Sequence, residues 1–200
     1  MENPTYHEGM RELQDLRETR ALADRLEKVT MRAAFTEDDK AFIQRCRMFF
    51  LATADTHGQP DCSYKGGLPG FVRVLDDRTL AIPDYDGNGQ YRSWGNVRVN
   101  PQVGLLFVDF ETPKRLRVNG TAMVSQDDAL LAEFPGAVFI VRLVAQRIFP
   151  NCPRYIHKMQ LVEESAYAPQ PEYIPPVPAW KTFDAFKDAL PPRDRPPSKD

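Results

Sequence analysis

Two hundred residues with 42% hydrophobic content suffice for one globular domain with extensions. A formal net charge of −2, with basic and acidic residues interspersed, argues against a general attraction to nucleic acid, and no run approaches the roughly 18 apolar residues of a membrane span. The start, MENPTYHEGMRELQD, has neither the charged nor the apolar region of a signal peptide, so a cytoplasmic protein with no nucleic-acid and no membrane partner is expected.

Residues 10–29 place Leu13, Leu16, Ala23, Leu26 and Val29 at helical spacing with charges between them, which predicts one amphipathic helix. In FTEDDKAFIQRC, Thr36 and Asp39 imitate a capping box, and a second helix is expected over residues 37–45. The pattern then turns to strands. MFFLATAD, DCSYKGG, GFVRVLD and LAIPD are separated by turns carrying glycine, proline or aspartate, and NPQVGLLFVDF, KRLRVNGTAMVS and AVFIVRLVAQRIFP follow. QDDALLAEF reads as a short helix between the last two. Strands this closely spaced leave no room for parallel crossovers, so an antiparallel sheet that closes toward a barrel is predicted. From Pro169 onward the tail holds nine of the eighteen prolines, which forbids regular structure over most of it, although WKTFDAFKDAL is compatible with a helix docking Trp180 and Phe183. The organisation expected is a helical extension over residues 1–35, a barrel domain over 36–168 and a Pro-rich tail over 169–200, disordered at its end.

Residues 82–96, IPDYDGNGQYRSWGN, open like a calcium loop: Asp84, Asp86, Asn88 and Gly89 match its first half. The second half fails, because Gly95 stands where a bidentate carboxylate belongs and Arg92 occupies the ninth position. What remains is a strand, a glycine-rich turn and a helix start, with Arg92 and Ser93 as added donors: an anion-binding layout, or else a surface turn with a solvated arginine. His7, His57 and His157 form no ligand cluster, and Cys46, Cys62 and Cys152 match neither a disulfide framework nor a zinc site, so no metal is expected.

The order FLATADTHGQP, DCSYK ending in Lys65, YRSWGN, Asn100-Pro101 and RLRVNGTA resembles the flavin-binding split-barrel family typified by pyridoxamine 5′-phosphate oxidase. The resemblance implies a mainly β fold with flanking helices, an antiparallel six-stranded split β-barrel, and FMN bound at the interface of a homodimer. It places Lys65 at the end of the second strand near the flavin, Arg92 and Ser93 at the phosphate, and Asn88 and Asn96 beside them. Two departures stand out. Pro60 and Asp61 replace an arginine that opens the second strand in the oxidase, and Arg115 replaces a glutamine. These departures argue against oxidation of pyridoxamine phosphate itself and for a flavin-nucleotide-binding relative of that enzyme.

On this reading FMN would bring a phosphate of about −2 charge for Arg92, Ser93 and the helix-start amides to neutralise. Lys65 is the candidate cation beside the reduced flavin, its alternative being an ordinary strand-end charge. Arg115 and Arg117 share a strand face with Asn119, either lining the same cleft or pointing to solvent. NCPRYIHK suggests a loop, with Cys152, that comes over the flavin of its own or the partner subunit and lets Arg154 or Tyr155 touch it; the alternative is that Tyr155 and Ile156 are core anchors and Cys152 an inert buried thiol. No acid–base pair or nucleophile is visible, so no catalytic residue is named. The function expected is an FMN-dependent oxidoreductase moving hydride to or from a small substrate or a nicotinamide donor. A non-catalytic flavin carrier or sensor, or a relative using deazaflavin or haem, is the alternative.

Overall fold

The computed structural model describes residues 5–195; the first four and last five residues, including the end of the tail expected to be disordered, lie outside the described residues. Seven strands form a single antiparallel sheet: β1 (Met48–Ala54), β2 (Pro60–Gly66), β3 (Arg73–Val74), β4 (Thr79–Tyr85), β5 (Gln102–Asp109), β6 (Lys114–Ser125) and β7 (Ala137–Pro150). Their spatial order is β2-β1-β5-β6-β7-β4-β3. The count is one more than the six expected, because Arg73 and Val74 pair with Ala81 and Leu80 as a two-residue edge strand.

Alternation along the strands aims one face inward. On β1, Phe49, Leu51 and Thr53 are buried while their neighbours are more exposed. Phe49 lies 5.2 Å from the Phe107 ring and stacks on Phe71 at 5.9 Å. Burial of each such ring contributes roughly 1.5–3 kcal/mol. Helix α3 (Glu37–Arg45) plugs this core with Phe42 and Ile43, both fully buried. Its capping box is complete: Thr36 accepts from the Asp39 amide and Asp39 accepts from the Thr36 amide. Asp39 also accepts from Arg32 at 2.8 Å, tying the helix to the chain before it.

The longest ladder, β6 with β7, changes register between Asn119 and Gly120. A Cβ at Gly120 would sit 2.1 Å from the Val144 carbonyl oxygen, so the bulge admits only glycine. The sheet curls until β2, at one edge, approaches β4 near the other. Among the described residues no ladder closes this gap. Helix α4 (Arg92–Val99) lies beside it, packed on β1, β6 and β2 and burying Trp94 and Val97.

Three local expectations are corrected. The single helix over residues 10–29 is two, α1 (Glu8–Leu16) and α2 (Arg20–Thr30), because Glu18 takes a left-handed φ of 55° between them. The segment after β6 forms a 3₁₀ helix, Ala129–Glu133. Among the described residues the tail forms two short 3₁₀ helices, Ala179–Thr182 and Pro192–Asp194, since its prolines leave too short a run to propagate an α-helix. Trp180 is half-buried there against Phe186, but Phe183 stays exposed rather than docked. Among the described residues no helix is long and apolar enough to cross a membrane.

Candidate functional site

The gap between β2 and β4 holds a cavity of about 180 Å³, lined by Asp61, Lys65, Asp84, the loop from Gly87 to Tyr91, and Arg92, Ser93 and Trp94. The loop reaches α4 through left-handed backbone at Gly89 (φ 75°) and at Tyr91 (φ 49°). A left-handed tyrosine costs about 1–2 kcal/mol, and Tyr91 is held there by edge contact with the Phe139 ring at 5.8 Å. This turn directs the first residues of α4, Arg92 and Ser93, and the free amides of its N-terminus toward the cavity. Asn88 shapes the loop, its side chain accepting from the Gln90 amide at 3.0 Å. Asn96 fixes α4 to β1 by donating to Thr53 Oγ1 at 3.1 Å.

Four charged side chains line the cavity, in two pairs. Lys65 Nζ lies 3.6 Å from Asp84 Oδ1 and 4.5 Å over the Trp94 ring, a cation stacked on an indole. Burial pushes the Asp84 carboxyl above its ordinary pKa, while the Trp94 indole and the Lys65 ammonium pull the other way. The buried indole N–H of Trp94 is directed at the Asp84 carboxylate without reaching good hydrogen-bond geometry. Across the cavity, Arg92 Nε lies 3.2 Å from Asp61 Oδ1, and Ser93 Oγ donates to Asp61 Oδ2 at 3.0 Å.

The structure therefore brings Lys65, Asn88, Arg92 and Ser93 together, with Asn96 on the same helix. It places Arg115, Arg117, Cys152 and Arg154 outside that cavity. Arg115 Nη2 instead donates to the Cys152 carbonyl at 2.7 Å, holding the loop after β7, and Arg117 is exposed on the outer face of β6. The Cys152 thiol is exposed rather than buried, and the Arg154 backbone N–H and guanidinium lower its pKa. The resemblance to a calcium loop dissolves in three dimensions. Asp84 turns inward to Lys65, while Asp86 pairs with Lys181 and Arg193 of the tail.

Sequence reasoning missed Trp94 as the ring under Lys65 and Asp61 as the partner of both helix-start donors. Asp61 was visible as a charge reversal at the head of the second strand, but only the curl of the sheet brings it against α4. It also missed a second cavity of about 790 Å³ between the tail and the barrel, walled by Tyr85, Tyr167, Tyr173 and several prolines.

The family model described as pyridoxamine 5′-phosphate oxidase matches residues 35–165. Among solved structures, a candidate pyridoxamine 5′-phosphate oxidase from Lactobacillus delbrueckii is 25% identical with a TM-score of 0.50, covering 60% of this chain and 99% of that one. HupZ of Group A Streptococcus is 25% identical with a TM-score of 0.47, covering 58% and 93%. An FMN-binding protein from Syntrophomonas wolfei is 13% identical with a TM-score of 0.44, covering 70% and 97%. No curated protein matches the chain.

Proposed function

Since the chain belongs to the pyridoxamine 5′-phosphate oxidase family, we propose that it is an FMN-binding oxidoreductase whose flavin phosphate lies between β2 and α4. The observation that carries this reading is the convergence of Arg92, Ser93, the α4 N-terminus and Lys65 on one cavity. These groups fit the cofactor chemically. A guanidinium, a hydroxyl and free backbone amides suit a phosphate.

Bound FMN supplies a hydride carrier that exchanges with a small substrate or a nicotinamide donor. The protein's own part is binding and electrostatics. Arg92 and Ser93 orient the phosphate end. Lys65, stacked over Trp94 and 3.6 Å from Asp84, is the cation at the inner end of the cavity, where a fixed positive charge favours a reduced, anionic ring.

A cavity of 180 Å³ is smaller than the roughly 300–1,000 Å³ that engulfs a whole cofactor-sized ligand, so the flavin ring must be covered from outside. A second copy of the chain supplies that cover in our reading. Residues 155–165 run along the surface, tied by Met159 to the Phe110 carbonyl and by Arg47 to Glu164, with Tyr155 and Val162 84% and 95% exposed. Such an arm suits a homodimer, and it leaves the Arg115, Cys152 and Arg154 cluster available to the partner's flavin.

The test is the absorption spectrum of the purified protein before and after FMN addition, with Arg92→Ala beside it. A flavin spectrum retained on dialysis by the wild type and lost by Arg92→Ala supports the reading, and nicotinamide donors are then assayed for flavin bleaching. A wild-type protein that takes up no FMN sinks it.

A further inference from the structure

The phosphate seat just described already holds an anion, and that anion is Asp61. Its carboxylate, on β2, takes the Arg92 guanidinium with one oxygen at 3.2 Å and the Ser93 hydroxyl with the other at 3.0 Å. These are the two side-chain donors that α4 presents at its start, and Asp61 engages both from a largely buried position, its side chain 16% exposed. The second cation of the cavity, Lys65, faces a carboxylate of its own, Asp84. The lining thus offers two positive side chains matched by two negative ones. A phosphate dianion entering this seat must take Arg92 and Ser93 from Asp61 and remain beside the displaced carboxylate, a like charge at close range in a partly dry site.

We infer that Asp61 is a specificity-determining residue: a built-in carboxylate that occupies the phosphate seat and penalises doubly charged phosphate groups, so that the protein distinguishes poorly between phosphorylated and unphosphorylated forms of its ligand. The inference rests on the cradle being the flavin's phosphate seat. Asp61 satisfies both donors, and its displacement opposes the gain that a phosphate brings. Its neutral isostere keeps the shape and the hydrogen-bond acceptor for Ser93 but removes the competing charge.

The experiment compares wild type, Asp61→Asn and Asp61→Ser by titration with FMN, riboflavin and inorganic phosphate, with melting temperature as a check on folding. The expected result is FMN affinity about tenfold tighter in both variants, the order of magnitude for relieving one like-charge contact. Riboflavin affinity should stay unchanged, and inorganic phosphate should stabilise the variants more than the wild type. Unchanged or weaker binding of FMN and of phosphate in the folded variants overturns the role of Asp61 while leaving the flavin reading intact, provided that the wild type binds FMN. If no form binds either flavin yet phosphate binding tightens in the variants, the flavin reading falls and the assignment of Asp61 stands.

Discussion

Lys181 Nζ lies 2.7 Å from Asp86 Oδ2, fastening the C-terminal tail to the loop that leads into the cradle. The same ammonium sits 2.9 Å from Asp194, and Arg193 reaches the other Asp86 oxygen at 3.2 Å. Only 9% of the Lys181 side chain is exposed, so its charge depends on these two carboxylates.

Replacing Lys181 by methionine should release the tail. The pairs are partly solvated, so a loss of about 1 kcal/mol is expected rather than the larger cost of a fully buried bridge. Trypsin should then cut after Lys187 and Arg193 faster than in the wild type. The pH dependence has a definite sign. Burial acts to raise the Asp86 pKa, but Lys181 and Arg193 outweigh it and hold the carboxyl below its ordinary value. A depressed carboxylate stabilises the fold above its unfolded pKa and loses that contribution as pH falls through the folded one. Acid below about pH 4 should therefore loosen the tail in the wild type and have a smaller effect in Lys181→Met, where only Arg193 of the two cations still pairs with Asp86.

Asp84 behaves in the opposite sense. Burial raises its pKa above the unfolded value, so its ionised form at neutral pH opposes folding, and its favourable contribution is present only in acid. Asp84→Asn should raise the melting temperature at pH 7, and the gain should shrink to nothing as pH falls through the ordinary carboxylate range. A melting curve lowered at pH 7 would show that the ion pair with Lys65 outweighs the desolvation.

At Gly120 even an alanine should be severe. The added Cβ collides with the backbone carbonyl of Val144, which cannot move without disturbing the β6–β7 ladder. A loss of about 3 kcal/mol is expected in denaturant unfolding, with little change in the m-value.

The cysteines should separate by reactivity. The exposed Cys152 thiol, lowered by the Arg154 backbone N–H and guanidinium, should alkylate at lower pH than an ordinary thiol. Arg154→Ala should return part of that shift, since the backbone donor remains. Cys46, buried and pushed up to about 12 by desolvation, should react only on unfolding. Mass mapping of iodoacetamide adducts against pH distinguishes the two.

The sheet was legible because alternation along each strand and the turns between them are local signals. The anion cradle was legible for the same reason: strand, glycine turn, Arg92 and Ser93 are contiguous. What escaped depended on distant partners. Asp61 and Arg92 are thirty-one positions apart and meet only because the sheet curls, and nothing near Asp86 announces that Lys181 will arrive from the tail. The break at Glu18 escaped for a different reason. The apolar spacing runs on through it, and glutamate carries no turn signal of its own.

The pair of helices at the start of the chain buries no residue in either member. Leu13, Leu16 and Val29 are 64%, 75% and 69% exposed, and the junction to the barrel is made at Arg32, by its bridge with Ile148 and its ion pair with Asp39. Cooperative unfolding of the barrel therefore need not include these helices. In the lone protomer they form a separate opening unit, whose amides should exchange with deuterium far sooner than those of the β6–β7 ladder. Slow exchange across residues 8–30 would mean that the leucines are covered in solution, and a dependence of that protection on protein concentration would show that a second copy covers them.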